Sequence, residues 1–544
     1  MHYALFIPEI RHTICAEVVS HDALSKLSRV SHDWHDSANV ILWQSLDSLI
    51  PLLRLMPADM WKMKDSPHSG RKFKFSRPLK PLDWKPVYEI AALVKEIRLH
   101  NDRARMYEKP VESESVLRAI CDCPPPSTLL PRLRHLQLNE WGTRHKSSSR
   151  CILQLVSSSL KSLDVTGPWP RLFNFTSLAH VCPSLESIRC ISLDSPLSTG
   201  LAGALVGWRA LTNVVIDVSG ETLGLIFSCL AQLPNLAGLK IYCTDCPQAI
   251  PSPPRGSFPS IQRIALDSLQ HAVVDAVICS WDRRHIQTLD FSPYPETSAA
   301  ELLYTINCLV QHCEPVALDE IVIACDGDSP ADERLMSFDV LSLLSHFCNL
   351  TKVTVFGPAG SGIDDDTCAQ LAPLWPKVRR LRLGLDYHLP APSSCTLSAL
   401  PHFAKYCRQL EWLTLPLNAT IIPNPVSPVG LLDIRNTSLT RLHIGQAGIK
   451  DPTAVALFLS AIFPSLEDVD CIGEFENEED GAIGERDRVH RWAEVRKMLG
   501  VLRKKEEYIW DFVEAMIPGS RDIRSSLGLS ATSVHPAARH ATPL

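Results

Sequence analysis

The sequence predicts an α/β fold in which short parallel strands alternate with helices, preceded by a small all-helical domain. Two observations predict the repeating part. One apolar hexamer recurs along the chain at nearly constant spacing, and the segments between its copies mostly have helical periodicity. A third observation predicts the separate domain, because the residues before about position 50 carry helix signals and no copy of the hexamer.

The hexamer is L-x-x-L-x-L, with Ile, Val, Phe or Cys allowed in place of Leu. Thirteen copies begin at Leu133, Leu160, Leu185, Leu211, Leu236, Ile261, Ile286, Leu318, Leu350, Val378, Leu410, Leu439 and Leu466, and a weaker copy begins at Val94. Successive starts from Leu133 onward are 25 to 32 residues apart. Each copy is typical of a short strand whose alternating apolar residues face a core.

Neighbouring copies are expected to stack, because one strand and one helix cannot bury their apolar sides alone. The arrangement resembles a leucine-rich-repeat solenoid over residues 93–475, with a concave parallel sheet and convex helices. A Cys precedes the strand in "CPSLESI" at Cys182 and in "CRQLEWL" at Cys407, which resembles the irregular repeats found behind F-boxes. The Asn that follows the strand in regular repeats is mostly missing, so we expect uneven curvature.

Residues 1–56 are predicted to form a domain of three short helices. Pro8 fits the first turn of a helix and Glu9 suits its positive end. We expect this first helix to bury Ile10, Ile14 and Val18, and Asp22 to cap the second helix. The later apolar positions are Leu24, Leu27, Val30, Trp34, Leu42, Trp43 and Leu46. A domain of this size is at the lower limit of independent stability, so part of its apolar surface is expected to need a partner.

The same residues resemble the F-box pattern of Leu-Pro-x-Glu-Ile, Leu-x-x-Leu, Val-Cys-x-x-Trp and a closing Leu-Trp, with Ile7 and Ser31 as departures. Residues 76–99, "SRPLKPLDWKPVYEIAALVKEIRL", resemble the linking segment of fungal F-box proteins. The resemblance implies that a Skp-type adaptor, and through it a cullin ubiquitin ligase, is a partner. The implied adaptor contacts are Pro8, Ile10, Ile14, Leu24, Leu27, Val30, Trp34 and Trp43. Alternatively these residues only fill a three-helix core, an interpretation at least as strong for the two tryptophans.

The composition argues against several classes of function. A net charge of −6 predicts no general basic surface for nucleic acid or membranes. No apolar run approaches the ~18 to 20 residues that cross a bilayer, and no secretory signal stands out, so we expect a cytoplasmic or nuclear protein. No motif indicates catalysis, a metal or a cofactor. The hypotheses are a non-catalytic substrate-recognition subunit of a Skp/cullin/F-box ubiquitin ligase, a structural scaffold without ligase association, and an enzyme with a site on the repeat loops.

The flanking segments have their own signals. Residues 57–92 are predicted to be a basic linker and connecting helix, because seven Lys and Arg residues stand against one Asp between Trp61 and Lys80. A nucleic-acid or nuclear-import role for this linker is the alternative. Residues 476–516 are predicted to be an acidic loop and a helix that caps the array, since terminal repeats need a cover. Its predicted inner face contains Val489, Trp492, Val495, Leu499 and Leu502. Residues 517–544 lack periodicity and are expected to be disordered.

The residues between the apolar positions of each strand point away from the core. In four successive copies they are Lys352, Thr354 and Phe356; Arg380, Arg382 and Gly384; Trp412, Thr414 and Pro416; and Arg441, His443 and Gly445. None is acidic. We predict that Lys352, Phe356, Arg380, Arg382, Trp412, Arg441 and His443 bind an acidic or phosphorylated substrate segment, because Arg forms paired hydrogen bonds with carboxylates and phosphates. The alternative is that these charges only keep the sheet hydrated.

Overall fold

The structure is a computed structural model of the 544-residue chain. It describes residues 3–66, 70–100, 114–139, 153–166, 174–191, 195–245, 250–293, 298–324, 337–356, 363–384, 394–423, 434–471 and 483–516. The chain divides into two compact units, Met1–Arg284 and His285–Leu544. The predicted α/β leucine-rich-repeat class is confirmed, because both units are built from parallel strands and intervening helices. Among the described residues, none of the helices is long and apolar enough to cross a membrane.

The first unit begins with a small helical bundle. A 3-10 turn, Tyr3–Phe6, precedes α1 (Pro8–Glu17), α2 (His21–Leu27) and α3 (His32–Leu42). Pro8 lies in the first turn of α1, as the sequence predicts. The side chains of Ser20 and Ser31 cap α2 and α3 by accepting hydrogen bonds from backbone amides. The cap of α2 is therefore Ser20 and not Asp22, which lies within the first turn.

The face of α1 that packs inside differs from the prediction. Arg11 and Cys15 are buried, whereas Ile14 is 36% exposed and Ile10 and Val18 are only partly covered. The inward face is thus shifted by one residue along the helix. One apolar edge of α1 is consequently left at the surface of the bundle.

The burial of Arg11 has a clear structural cause. Its Nη1 atom donates to the carbonyl oxygens of Leu5 and Phe6 at 3.3 and 3.2 Å and lies 3.3 Å from the Asp33 carboxylate. These partners offset part of the cost of burying the charge, although Nε of Arg11 is buried without a hydrogen-bond partner among the described residues. The buried residues of the small core are Cys15, Leu24, Trp34 and Ala38.

The sheet of the first unit contains eight parallel strands within the described residues. In spatial order they are β1 (Ser45–Leu46), β4 (Glu96–His100), β5 (His135–Asn139), β6 (Ser162–Thr166), β7 (Ser187–Cys190), β8 (Asn213–Val218), β9 (Gly238–Cys243) and β10 (Arg263–Leu269). The later helices of this unit are Ile50–Leu53, Tyr88–Ala91, Glu114–Asp122, Phe175–Val181, Ser195–Leu205, Gly220–Leu230 and His271–Cys279, with a 3-10 turn at Pro81–Trp84.

The basic segment after the bundle contains a β-hairpin that the sequence analysis describes only as a linker. Strand β2 (Trp61–Ser66) pairs antiparallel with β3 (Gly70–Phe75). The rings of Trp61 and Phe73 stack with centroids 5.8 Å apart. Arg77 then donates hydrogen bonds of 2.9 to 3.0 Å to the carboxylates of Asp59 and Asp83. At least one basic residue of this segment therefore has a structural role.

The second unit repeats the same design. Its strands are β11 (Thr288–Pro293), β12 (Glu320–Ala324), β13 (Lys352–Phe356), β14 (Arg380–Leu383), β15 (Trp412–Thr414), β16 (Arg441–His443) and β17 (Asp468–Asp470), all parallel to their neighbours. Its helices are Ala299–His312, Phe338–Ser342, Asp365–Leu371, Leu400–Tyr406, Pro452–Ile462 and Ile483–Met516, with 3-10 turns at Leu343–His346, Ala372–Leu374 and Leu397–Ala399.

All fourteen copies of the hexamer form strands, each beginning two residues after its first apolar residue. The three apolar residues of a copy face the core. In the copy at Leu133, for example, Leu133, Leu136 and Leu138 are at most 1% exposed. A single continuous array over residues 93–475 stays a prediction.

The cysteine before the strand links one repeat to the preceding one. The Sγ atoms of Cys182 and Cys407 donate to the carbonyl oxygens of Ser157 and Ala372 at 3.2 and 3.4 Å. The Cys182 carbonyl in turn accepts a hydrogen bond of 3.0 Å from Nε1 of Trp208. Burial raises the pKa of both thiols to about 12, so they act as small buried donors and not as nucleophiles.

The last described helix, Ile483–Met516, packs against the helix Pro452–Ile462 and the final strand, and it is called the capping helix below. Trp492, Val495 and Leu499 are buried, and Val489 and Leu502 are partly covered. Nε1 of Trp492 also donates 2.9 Å to the Ala447 carbonyl. The predicted acidic loop before this helix and the predicted disordered tail 517–544 lie outside the described residues.

Candidate functional site on the open face of the second unit

The open face of a sheet is formed by the residues between the apolar positions of its strands. In the second unit, the register of six strands from β12 to β17 aligns these residues in two rows. The first row contains Glu320, Lys352, Arg380, Trp412, Arg441 and Asp468. The second row contains Val322, Thr354, Arg382, Thr414, His443 and Asp470. Neighbours within a row are about 4.8 Å apart, although they are distant in sequence.

An arginine–tryptophan cluster, made of Phe356, Arg382, Trp412 and Arg441, lies at the centre of this face. The guanidinium carbon of Arg382 lies 4.7 Å from the ring centroid of Phe356 and 5.8 Å from that of Trp412. The guanidinium carbon of Arg441 lies 5.4 Å from the Trp412 ring. Nε1 of Trp412 donates 3.1 Å to the hydroxyl of Thr414, which orients the indole. Two cations therefore share one aromatic ring, and each contact is individually favourable.

The guanidinium groups of this cluster contact aromatic rings and form no salt bridge with a carboxylate of the described residues. Nε of Arg382 is buried and has no hydrogen-bond partner among the described residues. Within the same part of the chain, neither Arg380, Arg382 nor Arg441 forms an ion pair. Arg380 and Arg441 are exposed, and Arg382 is partly exposed. Their terminal nitrogens are therefore available for an external anion, the geometry in which Arg forms paired hydrogen bonds.

Acidic side chains flank the cluster on both sides. Lys352, which the sequence analysis includes in the binding patch, donates a hydrogen bond to the carboxylate of Glu320 and is thereby neutralised. On the other side, Asp468 and Asp470 are exposed and adjoin Arg441 and His443 in the register. The positive surface is therefore narrower than predicted and ends at a negative strand.

His443 lies on the same strand as Arg441 and is aligned with Asp470 of the negative strand. Burial lowers the pKa of its imidazole, and the nearby Arg382 lowers it further, while Asp470 and Asp468 act in the opposite direction. The net shift is downward, so His443 is neutral at pH 7. It consequently contributes a hydrogen-bonding ring and no charge to the face.

Two glycines end the strands that carry the arginines. Gly384 and Gly445 follow β14 and β16 with φ values of 66° and 62°. This left-handed conformation favours glycine. Two residues after the second row, these two strands therefore have glycines and present no side chain. The neighbouring strands have Phe356 and Pro416 at the equivalent position.

The structure brings together most of the residues predicted for substrate binding. Phe356, Arg380, Arg382, Trp412, Arg441 and His443 lie on four adjoining strands. Asp468 and Asp470 were not predicted as part of this site, although the hexamer at Leu466 identifies their strand. The same outward-position rule, extended by one copy, would have found them.

The residues predicted for adaptor binding divide into three groups by exposure. Leu24 and Trp34 are buried in the bundle core, which agrees with the core-filling alternative for Trp34. Ile10, Leu27 and Trp43 are half-buried. Pro8, Ile14 and Val30 are exposed, with Val30 at 58%.

Three apolar residues at the start of α1 form a stripe in which the N-cap residue Ile7 and the helical residue Ile14 are exposed and Ile10 is half-buried. Ile7, Ile10 and Ile14 are spaced three and four residues apart, which places them on one helix face. Ile7 is 38% exposed and Ile14 is 36% exposed, and Phe6 next to them is 56% exposed. We call Ile7, Ile10 and Ile14 the α1 stripe.

No metal site accompanies these surfaces. Among the described residues, no group of three or more His, Cys, Asp or Glu side chains is placed to hold a metal ion.

Comparisons with known proteins give little beyond this geometry. No family model matches the chain, and no curated protein matches it. A chain of the crystal structure of the Rad7 and Elc1 complex in yeast is similar, with a TM-score of 0.35 and 14% sequence identity. The match covers 61% of this chain and 81% of that chain. At this TM-score the similarity carries no argument about function.

Proposed function

We propose that the protein is a non-catalytic substrate-recognition subunit of a Skp/cullin-type ubiquitin ligase, acting in the cytoplasm or nucleus. The observation that carries the proposal is the α1 stripe, a partly exposed apolar edge of an F-box-patterned bundle that precedes the repeats. In this proposal the bundle docks a Skp-type adaptor. The open face of the second unit binds the substrate.

Physical chemistry supports the docking role of the bundle. Its described core consists of only four buried residues, which is little for an independent domain. Fully burying an exposed Ile or Val side chain stabilises by about 1.5 to 3 kcal/mol, and these partly exposed residues would contribute a fraction of that each. An adaptor that covers the α1 stripe and Val30 would therefore gain binding energy and stabilise the bundle together.

The proposal is tested by measuring the affinity of the full chain for a purified Skp-type adaptor. Ile14→Asp places a charge on the α1 stripe without entering the core, so affinity should fall at least tenfold while the melting temperature stays unchanged. Val316→Asp is the matched control, because Val316 is 59% exposed but lies in the second unit. This control should bind the adaptor like the wild type.

Two outcomes would refute the proposal. Wild-type protein could fail to bind an adaptor that a genuine F-box protein binds in the same assay, or Ile14→Asp and Val316→Asp could bind equally well. Either result would leave the repeat array as a scaffold without ligase association.

A further inference from the structure

The open face of the second unit has a definite order of charge across its strands. Lys352 on β13 is neutralised by Glu320, and the next strands carry the unpaired Arg380, Arg382 and Arg441 around Trp412. The following strand, β17, carries Asp468 and Asp470. From β13 to β17, the strands therefore present a neutral, a positive, an aromatic, a positive and a negative surface in turn. A ligand that is only acidic would match the middle of this face and be repelled at β17.

The arginine–tryptophan cluster is preorganised to bind one anionic group. Arg382 is held between two rings, so its side chain has lost much of its rotational freedom before any ligand arrives. Such preorganisation reduces the entropy cost of binding. The uncovered end of a guanidinium group forms two parallel hydrogen bonds with a carboxylate or a phosphate. These two anions share the chemistry that the site recognises.

The distance between the arginines of β14 and the aspartates of β17 determines how far apart an anionic and a basic residue of one ligand must lie. Arg382 on β14 and Asp470 on β17 are three strand spacings apart, which corresponds to about 14 Å. An extended peptide advances ~3.4 Å per residue, so four residues span this distance. Side chains at positions i and i+4 of such a peptide also point to the same side. The side chain at i+2 points the same way and would lie near Trp412 and His443.

We propose that the open face binds an extended protein segment that crosses the strands and carries an anionic residue at position i and a basic residue at position i+4. The anion contacts Arg380 and Arg382 on β14, and the basic residue contacts Asp468 and Asp470 on β17. An apolar residue at i+2 lies against Trp412. This inference rests on the proposed function only in treating the bound segment as part of a substrate.

The test uses the full chain and fluorescently labelled Gly/Ser peptides with Leu at i+2. Position i holds Ser, Asp or phosphoserine, and position i+4 holds Lys, Ala or Glu. Anionic peptides with Lys should bind best, and Glu at i+4 should weaken binding at least tenfold. If Asp and phosphoserine bind alike, a carboxylate is sufficient, and if only phosphoserine binds, the ligand is a phosphorylated segment; both results support the proposal.

Protein variants distinguish this site from general charge attraction. Arg382→Gln should weaken binding of anionic peptides at least tenfold. Arg379→Gln is the matched control, because Arg379 precedes the same strand, is 58% exposed and lies 3.8 Å from Glu411. It should change affinity less than twofold. The double variant Asp468→Lys and Asp470→Lys should prefer Glu over Lys at i+4, provided that its thermal unfolding matches the wild type.

Three results would overturn the inference. These are affinity that is indifferent to the charge at i+4, equal affinity in Arg382→Gln and Arg379→Gln, and failure of every peptide to bind. The adaptor assay is independent of this test, since Arg382→Gln leaves the α1 stripe intact. If the full chain binds the adaptor but none of the peptides, only the proposed ligand class is contradicted. If it binds the peptides but not the adaptor, only the proposed function is contradicted.

Discussion

The capping helix is expected to be held mainly by Trp492, and Trp492→Ala should release it. The indole is fully buried and donates 2.9 Å to the Ala447 carbonyl. Removing a buried Trp side chain costs about 3 to 5 kcal/mol. The carbonyl left without its donor adds about 1 kcal/mol or more. Since the contacts of a repeat array are local, this loss should appear in the capping helix and β17 and not in distant repeats.

Hydrogen–deuterium exchange of the full chain measures this effect. Exchange in the capping helix should accelerate by a factor of at least about 100, because each 1.4 kcal/mol corresponds to about tenfold. Exchange in the helix Gly220–Leu230 should stay unchanged. Tyr508→Ala is the control, because Tyr508 lies on the same helix and is 73% exposed. Similar exchange rates in the two variants, or acceleration throughout the chain, would refute the reasoning.

Two further changes test contacts within the units. Arg77 holds the pKa of Asp83 below its ordinary value, so this contribution to stability is present above pH ~4 and is lost as the pH falls toward the lowered pKa. Asp83→Asn should therefore melt lower than the wild type at pH 7 but lose less stability on acidification; an equal acid dependence would contradict this. Asn436→Ala should lower the free energy of unfolding in urea by about 2 to 4 kcal/mol, because buried Asn436 donates 2.8 Å to the Cys407 carbonyl and accepts from two backbone amides. Asn349→Ala, which loses two solvent-accessible hydrogen bonds, one donated to the Val316 carbonyl and one accepted from Lys377, should cost less than about 1 kcal/mol, and equal costs would contradict this expectation.

The sequence by itself determined the fourteen strands that carry the hexamer and the class of the fold. Each hexamer contains its own period-2 pattern, and within each unit its neighbour in the chain is also its neighbour in the sheet. Local sequence and spatial order therefore coincide, so a pattern of six residues was sufficient to place all fourteen strands. The capping helix was equally readable, because Trp492, Val495 and Leu499 share one face by helical spacing alone.

Structure was predicted less well from the sequence where charged residues interrupt the apolar pattern of a strand or a helix. In the hairpin, apolar residues at Trp61, Met63, Phe73 and Phe75 alternate with lysines, and the basic composition favoured a linker. In α1, the apolar residues indicated an inward face, but Arg11 took an inner position because backbone carbonyls and Asp33 were available to it. Those partners come from other parts of the bundle.

Only the tertiary structure decided which charges on the open face remain unpaired. Lys352 and Glu320 are 32 residues apart in sequence and meet because β12 and β13 are aligned in register. The same alignment places Arg382 between Phe356 and Trp412 instead of beside a carboxylate. A residue's type and its inward or outward direction follow from the local pattern. The partner across the strand depends on register between separate repeats, and that register determines whether a cation is neutralised or available to bind.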